Sequence, residues 1–93
     1  MRIGLCTVKL EIVDSFSLKD KRSVLLSLFS KLRANFNISV AEVERLNSFK
    51  HGEIAFVSIN TESSHLHSTL SSIIGFIESD FRVRIEDYKI EVI

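Results

Sequence analysis

The sequence predicts an α+β protein with the ferredoxin-like β-α-β-β-α-β order, on three observations. Apolar and polar residues alternate in four segments, and apolar residues recur at helical spacing in two others. The segments follow one another as two βαβ units joined by a hairpin. The chain has no proline and no linker-like stretch, so we expect a single domain over residues 1–93. Right-handed crossovers then give a four-stranded antiparallel sheet in the order 4-1-3-2, with both helices on one face.

The first strand and the first helix have the clearest patterns. Alternation over residues 2–13 predicts a strand. Leucines and a phenylalanine recur three and four positions apart over 18–35, which predicts an amphipathic helix. Ser17 lies where an N-cap is expected, and Asp20 three residues later completes a capping box with Asp in place of the usual Glu.

The second half of the chain repeats this arrangement after a hairpin. A second strand is predicted over 36–46, with a bulge near Val40 because the apolar phase slips there. The remaining segments are a loop, a strand, a helix and a strand, predicted over 47–52, 53–60, 62–79 and 81–93.

Composition and the single cysteine indicate an ordinary cytoplasmic protein. Cys6 cannot form an internal disulfide, which fits a reducing compartment. Lys9 and Glu11 interrupt the apolar start, so we expect no signal peptide, and no apolar run is long enough for a membrane span.

Charge is neutral in total but unevenly distributed. The chain has 12 basic and 12 acidic residues. Residues 1–36 hold seven basic and three acidic side chains, a net charge of +4, which leaves −4 for the remainder. This balance argues against strong non-specific binding to duplex nucleic acid, yet it leaves room for one basic face.

That basic face is predicted on the first helix. Lys19, Lys21 and Arg22 crowd its first turn, where the helix dipole favours acids. An anion there would gain from the cations and from the free N–H groups together. Further cations down the helix extend the cluster into a stripe that could follow a phosphate backbone. The predicted anion- or RNA-binding residues are Ser17, Lys19, Lys21, Arg22, Lys31 and Arg33. A plain solvated helix face is the alternative.

The open face of the sheet is the second predicted interaction surface. The helices are expected to cover Cys6, Val8 and Leu10 of the first strand, with Ala55, Val57 and Ile59 of the third. The opposite face would then expose the apolar residues Ile3, Leu5, Ile54 and Phe56. Such a patch predicts a homodimer or a protein-binding adaptor. A base-stacking RNA platform is less favoured, because only Phe56 would offer an aromatic ring there.

No pattern predicts catalysis, a metal or a cofactor. The glycines are isolated, no serine lies in a nucleophile elbow, and the histidines are scattered. Acylphosphatases share this topology and hold phosphate in the loop after the first strand. Here residues 14–17 do not resemble that loop, and Arg22 lies a turn into the helix, so an acylphosphatase-like enzyme is disfavoured.

Two stretches carry a family resemblance. Residues 17–23 read S-L-K-D-K-R-S, and residues 36–43 read F-N-I-S-V-A-E-V. Together they resemble the YlxP-like family of small bacterial proteins of unknown function. The resemblance implies a ferredoxin-like fold. Family genes often lie among those for translation initiation and ribosome maturation, which implies by association a role around the ribosome. We therefore expect a non-enzymatic accessory protein that binds structured RNA or a ribosomal subunit.

Overall fold

The computed structural model describes all of residues 1–93 and confirms the predicted α+β architecture. The elements are β1 Arg2–Ile12, α1 Leu18–Asn35, β2 Ser39–Glu44, β3 His51–Asn60, α2 Ser63–Glu78 and β4 Val83–Val92. The strands form one antiparallel sheet in the order β2-β3-β1-β4. This is the predicted 4-1-3-2 order, read from the other edge of the sheet.

Strand β2 is shorter than predicted, for local backbone reasons. After α1, the N–H of Phe36 still bonds to Leu32 O, and Ile38 N bonds to Phe36 O, so the chain turns before pairing begins. At the other end, Arg45 adopts a positive φ of 60°, which stops the strand. The bulge lies between Glu42 and Glu44 rather than near Val40.

The register of β3 against β1 places Ile54 and Phe56 in the core, so their predicted position on the open face is wrong. Cys6 pairs with Phe56 and Val8 with Ile54, and paired residues share a face. All four are fully buried. Both faces of β3 are apolar, so its alternation alone could not choose the inward face, and the larger Ile and Phe side chains occupy it.

The core lies between the two helices and this one face of the sheet. Sixteen buried residues form one apolar cluster. Helix α2 lies close over β1, since a Cβ added at Gly4 would be only 3.0 Å from Leu70 Cδ1. The opposite face of the sheet carries no layer, as predicted. Neither α1 nor α2 combines the length and the hydropathy that a membrane-spanning helix requires.

Candidate functional site

The start of α1 forms as the sequence predicts. Ser17 Oγ accepts a hydrogen bond from Asp20 N at 3.1 Å, which satisfies one of the free N–H groups at the helix start. Asp20 Oδ2 in turn accepts from Phe16 N at 3.0 Å, one residue before the usual capping-box donor. The Asp20 carboxylate therefore stands at this helix start, and an incoming anion would meet its charge there.

Lys21 is buried, which corrects its predicted role as a phosphate contact. Its side chain is only 1% exposed. The ammonium lies 2.8 Å from Glu42 Oε2 and donates to two carbonyl oxygens, Arg45 O at 2.9 Å and His51 O at 3.0 Å. Two of its three N–H donors are therefore hydrogen-bonded to backbone, and the contact with Glu42 is an ion pair at short distance. No other donor reaches the buried Glu42 oxygen. Through its contacts with Glu42, Arg45 and His51, Lys21 connects α1 to the ends of β2 and β3.

This ion pair also joins the two stretches that carry the family resemblance. Lys21 belongs to residues 17–23 and Glu42 to residues 36–43. The two stretches are distant in sequence, and helical periodicity alone does not reveal a partner on another element. From the sequence, Lys21 is therefore predicted to be exposed like its neighbouring cations. Only the folded position of the β2–β3 hairpin shows that it is buried.

The remaining cations of α1 divide between two flanks of the helix. Arg33 donates to Val40 O at 3.2 Å and stacks 5.9 Å from the centre of the Phe29 ring, so its guanidinium is held against β2. Lys31 lies on the other flank, beside Asp80 and Arg82 of the α2–β4 connection. The predicted continuous basic stripe is therefore wrong. Lys19 and Arg22 remain exposed on the first turn.

Three connections meet at the end of the molecule where β1 ends and α1 begins, which we call the loop end. It comprises the β1–α1 loop, the β2–β3 connection and the α2–β4 connection, residues 13–17, 45–50 and 79–82. Ile12 N donates to Lys50 O at 2.7 Å, and Val13 N donates to Arg82 O at 3.0 Å. These bonds hold the β1 terminus between the other two connections.

Each connection of the loop end exposes a phenylalanine. Phe16 is 74% exposed, Phe49 is 41% exposed and Phe81 is 95% exposed. The Lys50 ammonium lies 5.2 Å from the centre of the Phe16 ring, within cation–π range. Sequence reasoning missed this cluster because it concentrated on the helix. Part of the signal was available, since Phe16 and Phe49 fall in a predicted turn and a predicted loop where no core demands them. Phe81 was predicted as the first residue of the last strand, and the structure begins β4 at Val83 instead.

The open face of the sheet carries a different set of apolar residues from the predicted one. Ile3 and Leu5 lie on it as predicted, and Val57 and Ile59 replace the buried Ile54 and Phe56. Ile59 is 63% exposed. The predicted surface is therefore present with half of its residues exchanged, and its role as an interface stays a prediction.

Other polar groups are already paired with one another. Glu86 Oε1 lies within hydrogen-bond distance of His51 Nδ1, at 3.2 Å, and forms an ion pair with Arg45 at 3.6 Å, within a shallow depression of about 680 Å³. Burial raises the pKa of the Cys6 thiol to about 11, which makes it a poor nucleophile. No three His, Cys, Asp or Glu side chains converge in a way that could hold a metal ion.

The fold defines a small protein of the ferredoxin-like α+β class. Residues 3–90 match the family described as "Protein of unknown function (DUF503)", and the chain belongs to this family. It is also similar to the uncharacterized protein YlxP of Bacillus subtilis (strain 168), with 25% identity over 77 residues. That match covers 83% of this chain and 84% of the Bacillus protein.

Proposed function

We propose that this protein is a non-enzymatic accessory protein of the cytoplasm that binds RNA, with the loop end and the first turn of α1 as its contact surface. The observation that carries the proposal is the exposed Phe16 ring with the Lys50 ammonium 5.2 Å from its centre. Because Lys50 lies over one face of the ring, a base would stack on the other face, and the flexible lysine side chain would be available to a nearby phosphate. Lys19 and Arg22 offer two further exposed cations on the adjoining helix turn.

The ligand class follows from the balance of aromatic and charged groups. Stacking of one base on an aromatic side chain contributes roughly 1–3 kcal/mol and needs an unpaired base. The chain has no net charge, so it lacks the broad positive field that holds proteins on duplexes without stacking. An unpaired loop of a structured RNA, such as a ribosomal subunit exposes, fits both properties.

The aromatic part of the proposal is tested with a labelled single-stranded RNA in fluorescence anisotropy. We expect Phe16→Ala to weaken binding roughly tenfold, the loss of one stacked base. Tyr88→Ala is the matched control, because Tyr88 is also exposed but lies on β4 outside the loop end. Equal affinity of Phe16→Ala and the unmodified protein would contradict the proposed site.

The charged part is tested by sedimenting the protein with ribosomal subunits across a salt series. Lys19→Glu combined with Arg22→Glu removes two phosphate contacts, which should lower the salt slope by about 1.4 for a single strand. Arg2→Glu reverses an exposed charge outside both the loop end and the open face of the sheet, and it should leave the slope unchanged. Absence of binding by the unmodified protein even at low salt would overturn the proposal.

A further inference from the structure

The open face of the sheet has an ordered pattern across its two central strands. In the β1–β3 register, Ile3 pairs with Ile59 and Leu5 with Val57. Thr7 then pairs with Ala55, and Lys9 with Glu53. The face therefore runs from two apolar rows, through one row of small side chains, to a row of opposite charges.

We propose that this face binds a second copy of the chain. The two copies are related by a two-fold axis that lies just above the open face, parallel to the strands and midway between β1 and β3. Rotation about that axis lays β1 of one copy over β3 of the other. Ile3 then meets Ile59 of the second copy, and Leu5 meets Val57 of the second copy. In an isologous interface of this kind, each contact occurs twice.

Charge complementarity supports a second copy rather than an unrelated protein. Under the same rotation, Lys9 meets Glu53 of the second copy, and Glu53 meets Lys9 of the second copy. Lys9 is exposed and forms no ion pair within its own chain. A second copy therefore covers the two apolar rows and also pairs the opposite charges of the last row.

The area of the face suits a modest dimer. The strands are about 4.8 Å apart; three are about 35 Å long and β2 is about 20 Å long, which gives a face of roughly 600 Å². Two such faces bury about 1,200 Å² in total, the lower limit for specific association. The outer strands add a mixed rim, where Asp87 of β4 would approach Glu44 of the second copy. This like-charged pair stays at the edge in water, where it is strongly screened. We therefore expect a dimer that forms and dissociates with concentration.

The test is a reciprocal charge exchange, measured on the full chain by analytical ultracentrifugation over a concentration series. The unmodified protein should move from the 10.6 kDa monomer toward twice that mass. Lys9→Glu alone and Glu53→Lys alone each set like charges against each other across the axis, twice. We expect each variant to associate about tenfold or more weakly.

The informative sample is an equal mixture of the two variants. In a mixed dimer, the two carboxylates of one chain face the two amines of the other, so association should return to that of the unmodified protein. Mixing does not alter the charges within either chain. Recovered association therefore cannot arise from a change in the folding of either variant. A mixture that associates no better than its components would overturn the proposed axis.

Two further measurements keep the proposal independent of folding and of RNA. Ile59→Lys changes an exposed side chain, so circular dichroism should show an unchanged fold while dimer formation is lost. Ser71→Lys on the exposed face of α2 is the control and should dimerise normally. An unmodified protein that stays monomeric throughout, or an Ile59→Lys variant that dimerises fully, would overturn the proposal. No RNA is present, so these results do not depend on the proposed function.

Discussion

Lys19 and Lys21 show how two residues of one helix turn acquire different roles. Two positions along a helix differ by about 200° in direction. Lys19 therefore points to water, whereas Lys21 points toward the β2–β3 hairpin and contacts Glu42 there. Residue type alone placed both in one basic cluster. Their contacts assign Lys21 to stability, whereas Lys19 stays exposed.

Replacing Lys21 should be strongly destabilising. Lys21→Met keeps most of the side-chain length but leaves the Glu42 carboxylate without its one compensating cation. Removing one partner of a buried ion pair costs about 3 kcal/mol or more, and we expect a loss of about 3 kcal/mol in the free energy of unfolding. Urea denaturation measures it, with Lys19→Met as the exposed control. A loss below about 1 kcal/mol would show that the ion pair is not a main support of the hairpin.

Asp80 should give stability that depends on acid pH. The Arg82 guanidinium donates to both of its carboxylate oxygens, at 3.0 and 2.7 Å, and holds the pKa of Asp80 below its usual value. A lowered pKa in the folded state stabilises the fold above the unfolded value of about 3.9, and this contribution is lost as pH falls through the folded pKa. Asp80→Asn should therefore cost about 1 kcal/mol at neutral pH. The difference from the unmodified protein should shrink below about pH 4. A difference that is constant from neutral to acid pH would contradict this account.

At the scale of the elements, the start of α1 depends on one hydroxyl. Ser17 Oγ accepts from Asp20 N, and no other side chain bonds to that N–H. We expect Ser17→Ala to lower the free energy of unfolding by about 1 kcal/mol. Ser23→Ala, on the exposed face of the same helix, is the control and should change stability by less than about 0.5 kcal/mol. Equal effects of the two substitutions, measured by thermal denaturation, would mean that the cap is not what fixes the helix start.

How well the sequence predicts each element depends on how one-sided its pattern is. Helix α1 has a single apolar stripe and a capping serine, so its predicted range matches Leu18–Asn35. Strand β3 is apolar on both faces, so the pattern fixed the strand but assigned Ile54 and Phe56 to the wrong face. That choice depends on register with β1, a long-range property. The loop end was missed for a similar reason, since three distant connections meet there only in the folded chain.

At the scale of the whole molecule, the two proposed surfaces are separate. The molecule is elongated, with dimensions of 42 × 21 × 18 Å. The loop end lies at the C-terminal end of β1. The apolar part of the open face begins near Ile3, at the N-terminal end of that strand. A two-fold axis parallel to the strands keeps both loop ends at the same end of the dimer. Two RNA sites would then lie side by side, and one RNA that reached both would bind more tightly through a high effective concentration.

The thermal stability of the whole molecule should report the dimer without any partner. A ligand that binds only the folded state raises the apparent stability in proportion to the logarithm of its concentration, and a second copy acts as such a ligand. The melting temperature of the unmodified protein should therefore rise with protein concentration in differential scanning calorimetry. The Ile59→Lys variant should melt at one temperature across the series, because its exposed face no longer binds a copy. A melting temperature that rises equally in both proteins would place the association on another surface, and one that rises in neither would mean that the chain unfolds as a monomer.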